Sequence, residues 1–177
     1  MEYEVIIVGA GPGGIFAALT LADLGVGPVL LIEKGKDLSE RRRGLSQDML
    51  CGWGGAGAYS DGKLTLSPEV GGFLSDYVDR NGLRELLSHT DGIYVAHGAP
   101  AQLYGETASA VRELADRARL ADLELVPMRV RHIGTENCPV VLESLQRSLR
   151  GRVEIRTSTP AEKLLTENGR IQGVELA

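Results

Sequence analysis

Apolar and polar positions at the front of the chain alternate between buried-strand and helical spacing. Glu4 to Val8 is a β-branched run, EVIIV, of the kind that suits a strand covered on both faces of a parallel sheet. GAGPGG follows at once. Then comes IFAALTLADLG, with Ile15, Ala18, Leu19 and Ala22 at helical spacing and Gly25 where a helix would stop. Pro28 precedes a second apolar run, VLLIE, which ends at Glu33. Strand, glycine turn, helix and strand within about 30 residues predict a βαβ unit with a right-handed crossover.

After Gly35 the pattern changes. Residues 37–67 are rich in Gly, Ser, Arg and Asp, carry little apolar periodicity and include CGWGGAGAYSDGKL. So long an irregular stretch points to a ligand-wrapping loop. Helical spacing returns from Phe73 to Leu87, broken at Asn81-Gly82, and residues 92–100 read as an irregular or short extended connection. Thr107 to Leu120 predicts an amphipathic helix with Val111, Leu114, Ala115 and Ala118 on one face, and Leu123 to Val126 a short strand. Cys138-Pro139 opens a further helix, capped by Asn137 or Cys138 and continued by Val140 to Leu149. Arg152 to Arg156 reads as a strand, and the tail as a hairpin turning at Asn168-Gly169.

Composition narrows the classes. With 177 residues, 43% apolar and 24% charged, the chain can bury a core and is not of disordered type. A net charge of −5, with Arg41, Arg42 and Arg43 as the densest basic cluster, excludes a broad nucleic-acid face. That run is either a solvated turn or a contact for one or two phosphates. Cys51 and Cys138 lie far apart without a CxxC partner, so neither a zinc site nor a disulfide scaffold is expected. Both read as ordinary thiols of a reducing cytoplasm. Val5 to Ala22 carries no charge, yet four glycines and a proline interrupt it and Glu2 and Glu4 precede it. A buried strand, a glycine turn and a helix explain it better than a membrane span or signal peptide.

The candidate chemistry sits in Gly9-Ala10-Gly11-Pro12-Gly13-Gly14, a G-x-G-x-x-G run between strand and helix. Gly9 permits the tight turn, Gly11 lets the main chain approach a pyrophosphate, and Gly14 lets the helix pack close to the strand. The helix N-terminus then points N–H groups and partial positive charge at the phosphates. Glu33, 19 residues after Gly14 (33 − 14), would accept from a ribose 2′-hydroxyl and repel a 2′-phosphate. The fingerprint alone serves FAD and NAD equally.

Five blocks separate the two cofactors by resemblance: VIIVGAGPGGIFAAL, LLIEKGKDLSERRR, GWGGAGAYSDGKL, HIGTEN and TPAEKLLTENGRIQGVEL. In this order they resemble the N-terminal part of the FAD-dependent dehydrogenases and oxidoreductases, a family of bacterial and archaeal flavoproteins. More distantly the chain is similar to the glutathione-reductase-type superfamily. The resemblance implies an α/β fold. A Rossmann-like FAD/NAD(P)-binding domain with a parallel sheet would carry an inserted helical and loop region and a C-terminal β-hairpin. The divisions would be a βαβ unit over 1–36, a flavin-side loop over 37–67, a helical insertion over 68–122 and a return over 123–177.

It implies FAD as cofactor, and the residues themselves offer no metal site. Gly9, Ala10, Gly11, Pro12, Gly13 and Gly14 would hold the pyrophosphate. Glu33 with neighbouring Lys34 would hold the adenosine ribose, and Arg41 would lie near the phosphates or ribose. Gly54, Gly55, Ala56 and Gly57 would pass close to the cofactor, with Ser60, Asp61, Gly62 and Lys63 toward the flavin. Ala161 would read the adenine through its backbone. Lys63 is either a cation that stabilises the reduced flavin or a surface lysine closing the loop. His132 reads as a loop histidine, and Trp53 as core or as a cover for the cofactor.

The implied function is an oxidoreductase passing hydride or electrons through the flavin. A small-molecule substrate or acceptor would be its partner, with NAD(P)H a candidate donor. Family chains are longer and return to the first domain near their C-termini, so part of the flavin site is expected outside this sequence. The second reading is a non-catalytic flavin-binding module or fragment completed by a second chain. The third is an NAD-dependent enzyme.

Overall fold

A computed structural model of the chain describes residues 2–177. It divides into two compact units. One runs to Ser60 and resumes over Cys138–Ala177, and the other spans Asp61–Asn137.

The first unit is built on β1 (Val5–Val8), α1 (Pro12–Asp23) and β2 (Val29–Ile32). β1 and β2 pair in parallel from Val5↔Val29 to Val8↔Ile32. All four residues of β2 are buried, as expected of a central strand covered on both faces. Its other neighbour is β6 (Glu154–Arg156), again parallel, giving the order β1-β2-β6. Between β2 and β6 lie α2 (Ser46–Leu50), the second unit and α5 (Cys138–Leu149). On α5, Val141, Leu145 and Leu149 are buried at four-residue spacing, and on α1 Ile15, Ala18 and Leu19 are buried. These two apolar stripes pack together with β2 and the fully buried Trp53. The indole Nε1 donates to Leu142 O at 3.0 Å, so the only polar atom of that side chain is satisfied.

The unit ends in a hairpin, β7 (Ala161–Glu167) and β8 (Arg170–Leu176), paired antiparallel. Asn168 and Gly169 both adopt positive φ, 51° and 76°, the signature of a type I′ turn. The mixed α/β class, with a Rossmann-type parallel sheet and closing hairpin, is the one the sequence implied.

The second unit holds a small antiparallel sheet, ordered β3-β5-β4, of β3 (Lys63–Thr65), β4 (Leu103–Tyr104) and β5 (Val130–His132). It also holds α3 (Arg80–Ala96) and α4 (Ala108–Leu120). Arg131 on β5 is buried and pairs with Asp91 of α3, Nη2 to Oδ2 at 2.7 Å, while Nη1 donates to Pro100 O at 2.5 Å. One guanidinium thus ties strand, helix and connection together.

The structure departs from several of these expectations. Asn81-Gly82 does not break a helix. It lies in the first turn of α3, where the Asp79 side chain caps the Gly82 amide at 2.8 Å, and the helix runs on through Gly92 to Ala96. Leu123 to Val126 forms no strand; the strand is β5, four residues later. α4 forms as expected, but none of its residues is buried. The stretch 37–67 is not featureless, since it contains α2, β3 and 3-10 turns at Leu38–Glu40 and Gly55–Tyr59.

Candidate functional site

Strand β1 runs out at Val8 and the chain turns sharply. Gly9 takes φ +103°, a conformation open to glycine at little steric cost, and its amide donates to Ile32 O at 2.7 Å. Pro12 then opens α1, with Gly11 as its extended N-cap. The first bond of the helix runs from Ile15 N to Gly11 O at 3.0 Å. The amides of Gly11, Gly13 and Gly14 therefore have no carbonyl from the preceding turn. A Cβ at Gly11 or Gly13 would meet nothing within 4 Å, whereas one at Gly14 would sit 1.9 Å from Gly9 O. Two of the three glycines face open space, and the third carries the contact between helix and strand.

Glu33 closes β2 and is buried. Its Oε2 accepts from Ala10 N at 2.8 Å, and its Oε1 accepts from Gly35 N at 2.8 Å and Gly52 N at 2.9 Å. Burial alone would raise its pKa; the three amides and the charge of Lys34 outweigh burial and hold the carboxyl below the usual range. A carboxylate has about four lone-pair sites, and these three bonds use two on Oε1 and one on Oε2. Lys34 itself is exposed.

Arg41 is also buried. Its Nε and Nη2 donate to Asp48 O at 2.9 and 2.6 Å, Nη1 to Trp53 O at 2.5 Å, and Nη2 also to Gly55 O at 2.9 Å. The Tyr59 ring lies 5.0 Å from the guanidinium carbon. Burial lowers the guanidinium pKa, opposed chiefly by Tyr59, Glu33 and Asp48. Sequence reasoning missed Asp48, which is buried, pairs with Lys36 Nζ at 3.1 Å and accepts from Arg42 N at 2.9 Å.

The glycine-rich loop comes back to the turn. Gly54 N donates to Ala10 O at 2.8 Å, and a Cβ on Gly55 would stand 3.3 Å from Gly11 Cα. Ala56 and Gly57 are exposed, and Ser60 Oγ donates to Gly57 O at 3.0 Å. The segment before β7 also reaches the end of β2. Ser158 N donates to Gly35 O at 2.7 Å and Thr159 N to Glu33 O at 2.8 Å. Ala161 follows two residues later, at the first position of β7.

The structure thus gathers the glycine turn, Glu33, the 54–57 loop and the approach to Ala161 within one unit. Asp61, Gly62 and Lys63 belong to the other unit. There Lys63 Nζ lies 2.8 Å from Asp61 Oδ2, both side chains exposed, and Lys63 faces His132 across the β3–β5 ladder. The hydrogen bond from Lys63 lowers the Asp61 pKa.

The chain is similar to several known proteins. A protein of Clostridium beijerinckii is 28% identical over 181 residues, 96% of this chain and 27% of that protein. A digeranylgeranylglycerophospholipid reductase of Methanocella arvoryzae is 56% identical over 39 residues, 22% of this chain and 10% of that protein. Among solved structures, a 3-ketosteroid-Δ4-(5α)-dehydrogenase of Rhodococcus jostii superposes with a TM-score of 0.58 at 16% identity. The match covers 99% of this chain and 42% of that one. Glycine oxidase of Bacillus cereus gives 0.52 at 16% identity, covering 99% and 53%. At that identity the structures show a shared fold, and the chain spans about half or less of each relative. The sequence model for the FAD dependent oxidoreductases matches residues 4–177, and the chain belongs to that family.

Proposed function

We propose that this chain holds the adenosine diphosphate half of FAD for an oxidoreductase that passes hydride or electrons between a small-molecule donor and an acceptor. The open glycine turn carries the reading. The amides of Gly13 and Gly14 head α1 without carbonyl partners, and open space lies over Gly11 and Gly13. A diphosphate needs that combination of N–H donors, positive dipole end and absent side chains. Glu33, adjoining the turn through Ala10 N at 2.8 Å, fits a ribose hydroxyl with its remaining lone pair on Oε2. Ala161 and the 158–160 segment, tied to Glu33 and Gly35 through backbone bonds, supply the side on which adenine would lie.

The flavin, when bound, supplies the redox chemistry. The protein's part is to bind, orient and set the electrostatics. The Gly54–Ser60 loop meets the glycine turn through the Gly54 N to Ala10 O bond and is proposed for the cofactor, with Asp61, Gly62 and Lys63 proposed for its flavin side on the family resemblance. Neither Cys51 nor Cys138 is held in a disulfide, which suits a reducing, cytoplasmic setting. No helix among the described residues is long and apolar enough to cross a membrane.

The test is direct. The purified chain is titrated with FAD and with ADP by calorimetry, and its visible spectrum is recorded after gel filtration. Binding of both, with flavin absorbance co-eluting, is the expected result. Failure of both ligands to bind at millimolar concentration would remove the proposal.

A further inference from the structure

We infer that Arg41 is a positioning residue for the cofactor site: it aims the glycine turn through one peptide plane and touches no phosphate itself. This rests on the reading of the glycine turn as the diphosphate site. The side chain has the charge expected of a phosphate ligand, but all but one of its N–H groups are committed elsewhere. Nε gives its one N–H to Asp48 O, Nη2 serves Asp48 O, Met49 O and Gly55 O, and Nη1 serves Trp53 O. Tyr59 covers one face at 5.0 Å and the residue is 7% exposed. Of five N–H groups, four point at main-chain carbonyls.

Those carbonyls belong to the loop that meets the glycine turn. In a trans peptide the C=O and the following N–H point in opposite directions. Drawing Trp53 O toward Arg41 therefore aims Gly54 N the other way, and Gly54 N donates to Ala10 O at 2.8 Å. Ala10 N in turn donates to Glu33 Oε2 at 2.8 Å. One peptide plane thus links the buried cation to the peptides flanking Ala10, and the buried anion holds the same residue from its other side. Drawing Gly55 O inward has a second effect. Gly55 approaches Gly11 closely, a Cβ on it standing 3.3 Å from Gly11 Cα, and a carbonyl oxygen turned outward there would repel a phosphate. A lysine keeps the charge but offers one ammonium centre in place of a planar fork, so it cannot serve carbonyls spread from Asp48 to Gly55.

The experiment compares wild type, Arg41→Lys and Arg41→Met by ADP calorimetry at several ionic strengths. Amide hydrogen exchange is measured alongside, and the Arg41 Nε–H resonance of the wild type is followed by NMR during ADP titration. Both variants are expected to lose ADP affinity about tenfold, with the salt dependence of wild type kept. Exchange at Ala10 and Gly54 should quicken while β2 stays protected. The wild-type Nε–H should be shielded from solvent before ADP is added and hold its position through the titration. Wild-type affinity in Arg41→Lys, a flattened salt dependence in Arg41→Met or a shifting Nε–H resonance would each overturn the inference. If neither variant folds, the wild-type resonance decides alone. If wild type binds neither ADP nor FAD, the diphosphate reading fails, and unchanged exchange at Ala10 and Gly54 in the variants would separately overturn the positioning role.

Discussion

Glu33 Oε2 accepts a hydrogen bond from the Ala10 amide at 2.8 Å, so the acid at the end of the second strand fixes the glycine turn at the end of the first. The same carboxylate takes two further amides on Oε1, Gly35 N and Gly52 N. Replacing it with glutamine turns one acceptor oxygen into an NH2 donor facing a buried N–H. Glu33→Gln is expected to destabilise the fold by about 1–3 kcal/mol, the cost of an unsatisfied buried donor. It should also weaken ADP binding. Denaturant melts with an ADP titration check both. A variant as stable as wild type would mean the amides do not depend on the carboxylate.

Acid should expose the same carboxylate. Its folded pKa lies below the ordinary 4.5, so the unfolded chain takes up the proton first. The stabilisation is complete above the unfolded value and is lost as pH falls from about 4.5 through the folded pKa. Asp37 and Asp48, also lowered, add to the same slope. Unfolding free energy measured from pH 6 to pH 3 should fall steeply in wild type and less steeply in Glu33→Gln. Parallel slopes would show that Glu33 is not among the groups responsible.

Two glycines of one motif should fail differently. A methyl at Gly11 meets nothing within 4 Å, and one at Gly14 would stand 1.9 Å from Gly9 O. Gly14→Ala must push α1 off β1 and is expected to cost several kcal/mol in stability, about 3. Gly11→Ala should melt near wild type yet lose ADP affinity, because the methyl occupies the space a phosphate needs. Thermal melts and calorimetry on the two variants separate these effects. A Gly11→Ala chain that binds ADP normally would count against the diphosphate assignment.

The contrast shows what the sequence makes legible. β1, α1 and β2 announce themselves because burial on both faces demands an unbroken apolar run, as in Val29–Ile32, and because glycine spacing follows from backbone sterics. Asn168-Gly169 is legible for the same reason, since positive φ at both positions selects those residues. The clamp around Arg41 leaves no trace in residue type. Its partners are carbonyls, which every residue carries. Likewise the amides that hold Glu33 come from Ala10, Gly35 and Gly52, residues whose convergence depends on the tertiary path. The strands of the second unit have two or three residues each, too short for alternation to register. In α3, the Asp79 cap overrides the turn tendency of Asn81-Gly82.

Lys63 divides two roles that a stability measurement cannot tell apart. Its ion pair with Asp61 is 2.8 Å long, but the side chains are 60% and 57% exposed, so solvent screens the pair and it contributes little to stability. Lys63→Met should therefore leave the melting behaviour and ADP affinity close to wild type. The flavin is the sensitive reporter. A cation near the ring favours the anionic reduced form, and its removal makes reduction harder. In FAD-loaded protein, Lys63→Met is expected to lower the flavin midpoint potential, and Lys63→Arg to restore it. Equilibration with a reference dye reads the shift. An unchanged potential in both variants would assign Lys63 to the solvated edge of β3, opposite His132.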